Sequence, residues 1–186
     1  MLHLPKLKIS VNKTDHRIGD LNAPISIVAY GDYESPLCAV SVSIFDDLIN
    51  YYQQDLCFVY RHFPLSLVHH LAEPAGVAAE AANLQGKFWE MHRLLFQNQI
   101  ILSPETIEAI AKTIELDILR FNQDLVKQEL LDRVQKDFKN GVRSGVNGMP
   151  TIFLNNVRYN GEPTYAALKN TIYSLPDNSS GIELFF

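Results

Sequence analysis

The spacing of apolar residues changes period three times along this chain, and the changes divide it. Residues 25–30, Ile-Ser-Ile-Val-Ala-Tyr, are short, apolar and rich in β-branched side chains, the pattern of a buried strand. From 39 to 54 the period lengthens, with Val40, Ile44, Leu48 and Tyr51/Tyr52 at helical spacing. Residues 56–61, Leu-Cys-Phe-Val-Tyr-Arg, read as strand again, and Pro64 ends them. A strand–helix–strand unit implies a parallel pair joined by a right-handed crossover. Upstream, 7–11 reads as a short leading strand. Asp15-His16, Gly19-Asp20 and Ala23-Pro24 read as a turn-rich connection.

Residues 66–140 hold no convincing strand and are expected to form about four helices. An alanine-rich segment, 75–84, ends near Gly86, a candidate C-cap. Residues 87–98 carry Phe88, Met91, Leu95 and Phe96 on one face. Ser103-Pro104-Glu105 supplies a capping hydroxyl, a proline at the first helical position and an acid in the first turn. The helix it opens carries Ile107, Ile110, Ala111 and Ile114. Asp117 is expected to cap a long helix through Phe121, Leu125, Leu131, Val134 and Phe138, stopped by Gly141.

Strand character returns at 151–154. Asn155-Asn156 reads as a tight turn, 157–159 as the return strand, and Pro163 as the start of a last helix with Tyr165, Leu168, Ile172 and Leu175. The expected organisation is an α/β fold in two halves, 1–65 and 141–175, around an inserted all-helical subdomain, 66–140. A C-terminal tail, 176–186, follows, in which 182–186 is either loose or an added strand.

Composition narrows the function classes. The chain has 186 residues, 47% hydrophobic and 20% charged, the balance of a soluble globular domain. A net charge of −5 without basic runs argues against nucleic acid. No apolar stretch is long enough for membrane insertion. The first ten residues show no signal-peptide pattern, so the expectation is cytoplasmic. Two cysteines, Cys38 and Cys57, are too few for a disulfide framework.

The chemistry centres on Gly31-Asp32-Tyr33-Glu34-Ser35-Pro36-Leu37-Cys38, where the first buried strand meets its helix. Unpaired amides and a positive dipole end favour an anion there, which is how a thiol at such a place gains acidity. Here Ser35 takes the first position and Cys38 stands three residues on.

Several segments together resemble the DsbA-like branch of the thioredoxin superfamily, thiol–disulfide oxidoreductases with a helical insertion. They are Tyr30-Gly-Asp-Tyr-Glu-x-Pro-x-Cys38, Tyr60-Arg-His-Phe-Pro-Leu65, Ala79-Glu-Ala-Ala82, Gln85-Gly-Lys-Phe-Trp-Glu-Met-His92, Ser144 to Asn155, and Tyr159-x-Gly161. The resemblance implies a thioredoxin-like fold with its sheet sandwiched by helices. It implies a Cys-x-x-Cys at the helix start, facing a cis-proline loop that pairs with an extended substrate. Gly148-Met149-Pro150-Thr151 matches that loop. By this resemblance Ser35, Cys38 and Pro150 are the catalytic candidates, and Pro36, Leu37 and Met149 the substrate-binding ones. The implied partner is a protein or peptide carrying a thiol or disulfide.

This sequence departs from the pattern at Ser35. A hydroxyl is far less acidic than a thiol and cannot close a disulfide with Cys38, so dithiol turnover is expected to be impaired or absent. Three readings stay open. The serine is an engineered replacement of cysteine; or it is natural, in a monothiol enzyme or a non-catalytic peptide binder; or it marks a glutathione enzyme. The last resembles the kappa-class transferases and related isomerases, where a serine bonds the thiolate of glutathione as ligand or co-substrate. No other cofactor is implied. Ser35 also reads simply as a helix cap, and Cys38 as a small buried hydrophobe.

Other residues read more plainly. Cys57 is expected in the core, and Phe88 with Trp89 as a packing anchor. Asp32 and Glu34 read as solvated loop acids. His62, His69, His70 and His92 lack metal-ligand spacing, so no metal is expected.

Overall fold

The computed structural model describes residues 5–175. Five strands and seven α-helices lie within them, in the order β1 (His16–Ile18), β2 (Ile25–Gly31), α1 (Pro36–Tyr52), β3 (Leu56–His62), α2 (Ala72–Asn83), α3 (Phe88–Gln97), α4 (Pro104–Thr113), α5 (Ile118–Asp124), α6 (Gln128–Arg143), β4 (Thr151–Leu154), β5 (Val157–Arg158) and α7 (Tyr165–Tyr173). The strands form one mixed sheet in the order β1-β3-β2-β4-β5. β2 and β3 are parallel, from Ile25 opposite Leu56 to Gly31 opposite His62. The other pairs are antiparallel. This is a thioredoxin-like fold with helices inserted after β3.

β2 and β3 are apolar at almost every position because both of their faces are covered. Ile27, Ala29, Phe58 and Tyr60 share one core with Cys38, Phe45 and Leu48 of α1. Val28, Tyr30, Cys57 and Val59 share the other with Leu7, Phe63 and Phe153, and Phe138 of α6 packs on it. Cys38 and Cys57 therefore lie on opposite faces of the sheet, both buried and both free. Cys57 is a core residue.

The structure corrects the sequence expectations in several places. Segment 7–11 is not a strand. A single bridge joins Lys6 to Val157, and the Leu7 amide donates to the Asn156 carbonyl. The first strand is instead His16–Ile18, inside the stretch read as a connection. Its polarity conceals it: Asp15 is buried because it pairs with Arg61, and His16 because its ring nitrogen hydrogen-bonds Glu80. The long helix expected from Asp117 is two helices, so the insertion holds five. Asp117 does cap α5, accepting from the Arg120 amide at 3.0 Å. From Leu125 to Leu131 is six residues, well out of phase with a 3.6-residue period, and the chain turns between them.

Gly141 does not stop α6. It lies inside the helix, where a Cβ would come 2.6 Å from Phe63 Cδ2. The terminating glycine is Gly145, at φ +82, with its amide on the Val142 carbonyl. Pro163 precedes the cap of α7, which is Thr164, accepting from the Ala167 amide. Asn155 and Asn156 both have positive φ, as a tight hairpin turn requires. The tail 176–186, with its 182–186 segment, lies outside the described residues.

Candidate functional site

β2 delivers the chain to the helix start through a glycine with no room for a side chain. A Cβ on Gly31 would meet the Tyr60 ring at 2.6 Å. Ser35 is the N-cap of α1, with φ −79 and ψ 116, and its hydroxyl accepts from the Cys38 amide at 3.4 Å. Pro36 takes the first helical position, where its missing N–H costs nothing. Cys38 sits one turn in, against the sheet and only 4% exposed. Burial pushes its thiol up to about 11, and hydrogen bonding from Ser35 and the Asp32 backbone lowers it without cancelling that effect. Desolvation thus wins over the helix dipole, and at neutral pH Cys38 is a protonated thiol.

The second half of the site comes from the loop entering β4. The Met149–Pro150 peptide bond is cis. Thr151 fixes the loop, pairing with Tyr30 in the sheet and donating from Oγ1 to the Gly148 carbonyl at 2.7 Å. Pro150 and Cys38 meet across a cavity of about 10 Å³, whose wall also includes Gly31, Tyr60, His92 and Phe96. Met149 is half-buried and packs against both cores. Pro36 and Leu37 face outward. Ser35, Cys38 and Pro150 are brought together, with Pro36, Leu37 and Met149 around them.

Asp32 and Glu34 are not solvated acids. Asp32 is buried, and its carboxylate accepts from the Glu34 amide, the Leu65 amide and His69 Nδ1, each at 2.8 Å. Glu34 Oε2 accepts from the Leu71 amide. These bonds pin the loop after β3 to the helix start. From the insertion, Gln99 Nε2 donates to the carbonyls of Tyr33 and Ser35. Both pinned loops expose large apolar side chains: Leu67 and Val68 on one, Ile100 and Ile101 on the other. Leu37 and Val40 on α1 are exposed as well, so the helix start and the two loops pinned to it together carry an apolar rim.

Beneath the site lies a polar layer that the sequence pattern does not announce. His16 Nε2 and His62 Nε2 lie 2.8 and 3.0 Å from the same oxygen of Glu80, Oε1. Arg133 stands 3.9 Å from that oxygen. The two ring nitrogens and the carboxylate oxygen fall within 4.8 Å of one another, but their spacing is that of hydrogen bonds and a guanidinium already stands beside them. The cluster is an ionic clasp that ties α2 and α6 to the sheet. Next to it, Tyr33 Oη and His92 Nδ1 are 3.0 Å apart. Burial, then the neighbouring His62, Arg93 and His16, hold His92 well below its usual 6.5, so its ring is neutral.

Sequence reasoning misses His16, Tyr33, Tyr60, Glu80 and Gln99. One signal is there for Glu80: a lone acid within Ala78-Ala79-Glu80-Ala81-Ala82, a helix small enough to bury on every side. Gln99 carries no signal, because it acts through a turn whose partner lies more than sixty residues away.

The chain is similar to the curated Na(+)/H(+) antiporter NhaA 1 of Salinispora arenicola, 37% identical over 160 residues, 86% of this chain and 24% of that protein. It is similarly close to the NhaA 1 of Mycolicibacterium vanbaalenii, 38% identical over 156 residues, 83% of this chain and 25% of that one. The chain thus spans about a quarter of the length of these relatives. Among solved structures it resembles oxidised BdbD from Bacillus subtilis, with a TM-score of 0.77, 23% identity, and coverage of 91% of this chain and 94% of that one. The thiol-disulfide exchange protein alpha-DsbA2 of Wolbachia pipientis also has a TM-score of 0.77, at 19% identity and 87% coverage of each chain. The family model described as Thioredoxin matches residues 11–174, so the chain belongs to the thioredoxin family.

Proposed function

We propose that this chain is a DsbA-like thiol–disulfide exchange scaffold that engages extended protein segments but lacks dithiol turnover. The observation that carries this reading is Ser35 as the helix cap with Cys38 buried one turn behind it, beside the Met149–Pro150 loop. A dithiol cycle needs a thiolate to attack a disulfide and a second thiol to resolve the mixed disulfide. A serine at 35 supplies no sulfur for either bond. With its thiol pushed up to about 11, Cys38 is thiolate in only about one molecule in ten thousand at pH 7.

Substrate presentation remains. An extended segment of a thiol- or disulfide-containing protein lies along Met149 and crosses Pro36 and Leu37, and its apolar side chains meet the rim of Leu67, Val68, Ile100 and Ile101. Exposed side chains of this size on both loops pinned to the site support a polypeptide ligand. The antiporter relatives are several times longer than the matched part, and their transport activity is not carried to this chain.

The test is Ser35→Cys. The expected result is a protein that reversibly loses two alkylatable thiols on oxidation and gains insulin reduction. A variant that does neither would sink the exchange reading. Glutathione binding by the native chain, abolished in Ser35→Ala, would replace it with the transferase reading.

A further inference from the structure

We propose that Tyr60 is the hydrogen-bond donor that waits for the Cys38 thiolate, an inference about the same site that rests on the exchange reading. The starting observation is an unmade bond. Tyr60 is 4% exposed, and its hydroxyl has no hydrogen-bond partner among the described residues. Leaving a buried hydroxyl unpaired is costly, so its presence calls for a role.

Its placement supplies one. Tyr60 and Cys38 line the same small cavity, together with Gly31, Phe96 and Pro150. The hydroxyl end of Tyr60 lies over Gly31, 3.1 Å from where a Cβ would stand. Glycine is what lets the phenol reach past the end of β2 toward the sulfur. The neighbouring Tyr33 phenol, whose ring centroid is 5.5 Å from that of Tyr60, is already engaged with His92. Tyr60 comes near the Tyr33 hydroxyl but makes no bond within ordinary hydrogen-bond distance, so its proton is still free to be given. At about 10 Å³ the cavity has room for one water-sized group, enough for a direct or a single-bridge approach.

The chemistry is a proton loss and nothing more. Cys38 gives up its S–H proton to a solvent base, no electrons move, and the O–H of Tyr60 then donates to the sulfur anion. A protonated thiol is a weak acceptor, whereas a thiolate is a strong one. The donor therefore stabilises the reacting form more than the resting form, as a preorganised site should.

The groups facing Cys38 are few. Ser35 on its own helix bonds to it. Asp32, at the end of β2, opposes ionisation through its charge. His92 of α3 is held neutral and adds no charge. The loop before β4 contributes Pro150, which does not titrate. Tyr60 of β3 is the remaining donor.

The test is the rate of iodoacetamide alkylation of Cys38 between pH 7.5 and 9.5, read by peptide mass. Cys57, on the opposite face of the sheet, serves as the internal report of global opening. In Tyr60→Phe, Cys38 is expected to react about tenfold more slowly at each pH, with Cys57 unchanged. Site-specific 3-fluorotyrosine at 60 keeps the ring shape and strengthens the donor, so Cys38 is expected to react faster. If Tyr60→Phe fails to fold, the fluorotyrosine protein decides alone. Unchanged or faster Cys38 alkylation in Tyr60→Phe, equal changes at both cysteines, or no gain with fluorotyrosine overturns the proposal. No exchange activity is needed for this readout. A Ser35→Cys protein that stays inactive sinks the exchange reading alone, and a flat Tyr60 result sinks this one alone.

Discussion

Gln99 holds Ser35 from outside the helix that Ser35 caps: its Nε2 lies 3.0 Å from the Ser35 carbonyl and 2.6 Å from that of Tyr33. The Ser35 carbonyl also accepts from the Cys38 and Ala39 amides. The insertion is thus wired directly to the helix start. Gln99→Ala removes both bonds and leaves the Tyr33 carbonyl without this donor. The expected cost is about 1–2 kcal/mol in a urea titration. Amide exchange should quicken at Cys38 and Ala39, the first turn of α1, before it does so in β3.

Glu80 makes the fold sensitive to acid. Burial alone pushes its carboxyl up, but hydrogen bonds from His16 and His62, with their charge, outweigh burial and hold it well below the ordinary 4.5. A depressed folded value means stability that is fully present above the unfolded value and is lost as pH falls beneath it. The parent is expected to hold its stability down to about pH 5 and then lose it steadily as the carboxyl protonates. Glu80→Gln should be less stable by about 3–5 kcal/mol at pH 7, because it strips the counter-charge from a buried cluster. Its loss of stability below pH 5 should be shallower than the parent's. Denaturant midpoints from pH 3 to 7 for both proteins test this, and parallel curves would refute it.

The sheet is legible in the sequence and the polar layer is not, for one reason. β2, β3 and β4 bury both faces, so their apolar runs stand out; the end of the first run marks Ser35 and Cys38, and the resemblance to DsbA-like proteins is what adds Pro150. The start of β1 is polar and still buried, because His16 and the preceding Asp15 find partners 64 and 46 residues away in Glu80 and Arg61. Local pattern does not record such partners. Asp32 is hidden in the same way: its three donors come partly from a loop more than thirty residues on. The break between α5 and α6 is readable, in the six-residue gap from Leu125 to Leu131, although the apolar residues on either side suggest one continuous stripe.

Gly141 sets two effects of opposite sign against each other. Alanine in a helix interior gains up to about 1 kcal/mol over glycine. At this position the new methyl would stand 2.6 Å from Phe63 Cδ2, 2.8 Å from Phe63 Cε2 and 3.0 Å from Tyr30 Cε1. Both rings are buried against the sheet and against each other, so neither yields cheaply. Overpacking of this kind costs about 1–3 kcal/mol or more, and the clash wins. Gly141→Ala should lower the thermal midpoint. An unchanged or raised midpoint would show that α6 slides without penalty. Gly86, with nothing within 4 Å of an added methyl but φ at +75, separates strain from clash as a comparison site.

The apolar rim separates binding from stability. Leu67 and Ile100 are 96% and 99% exposed, so they contribute almost no buried area to the folded chain. The double change Leu67→Ser and Ile100→Ser should leave the denaturant midpoint within about 0.5 kcal/mol of the parent. If an extended peptide covers these side chains, burying each contributes about 1.5–3 kcal/mol when the coverage is complete. The double variant should therefore bind a fluorescent apolar peptide at least about tenfold more weakly by anisotropy. Equal affinity in parent and variant would remove the rim from the binding surface and leave the Met149 and Leu37 region to act alone. A loss of affinity that grows with peptide length would place the segment across both pinned loops, with Ser35 at its centre.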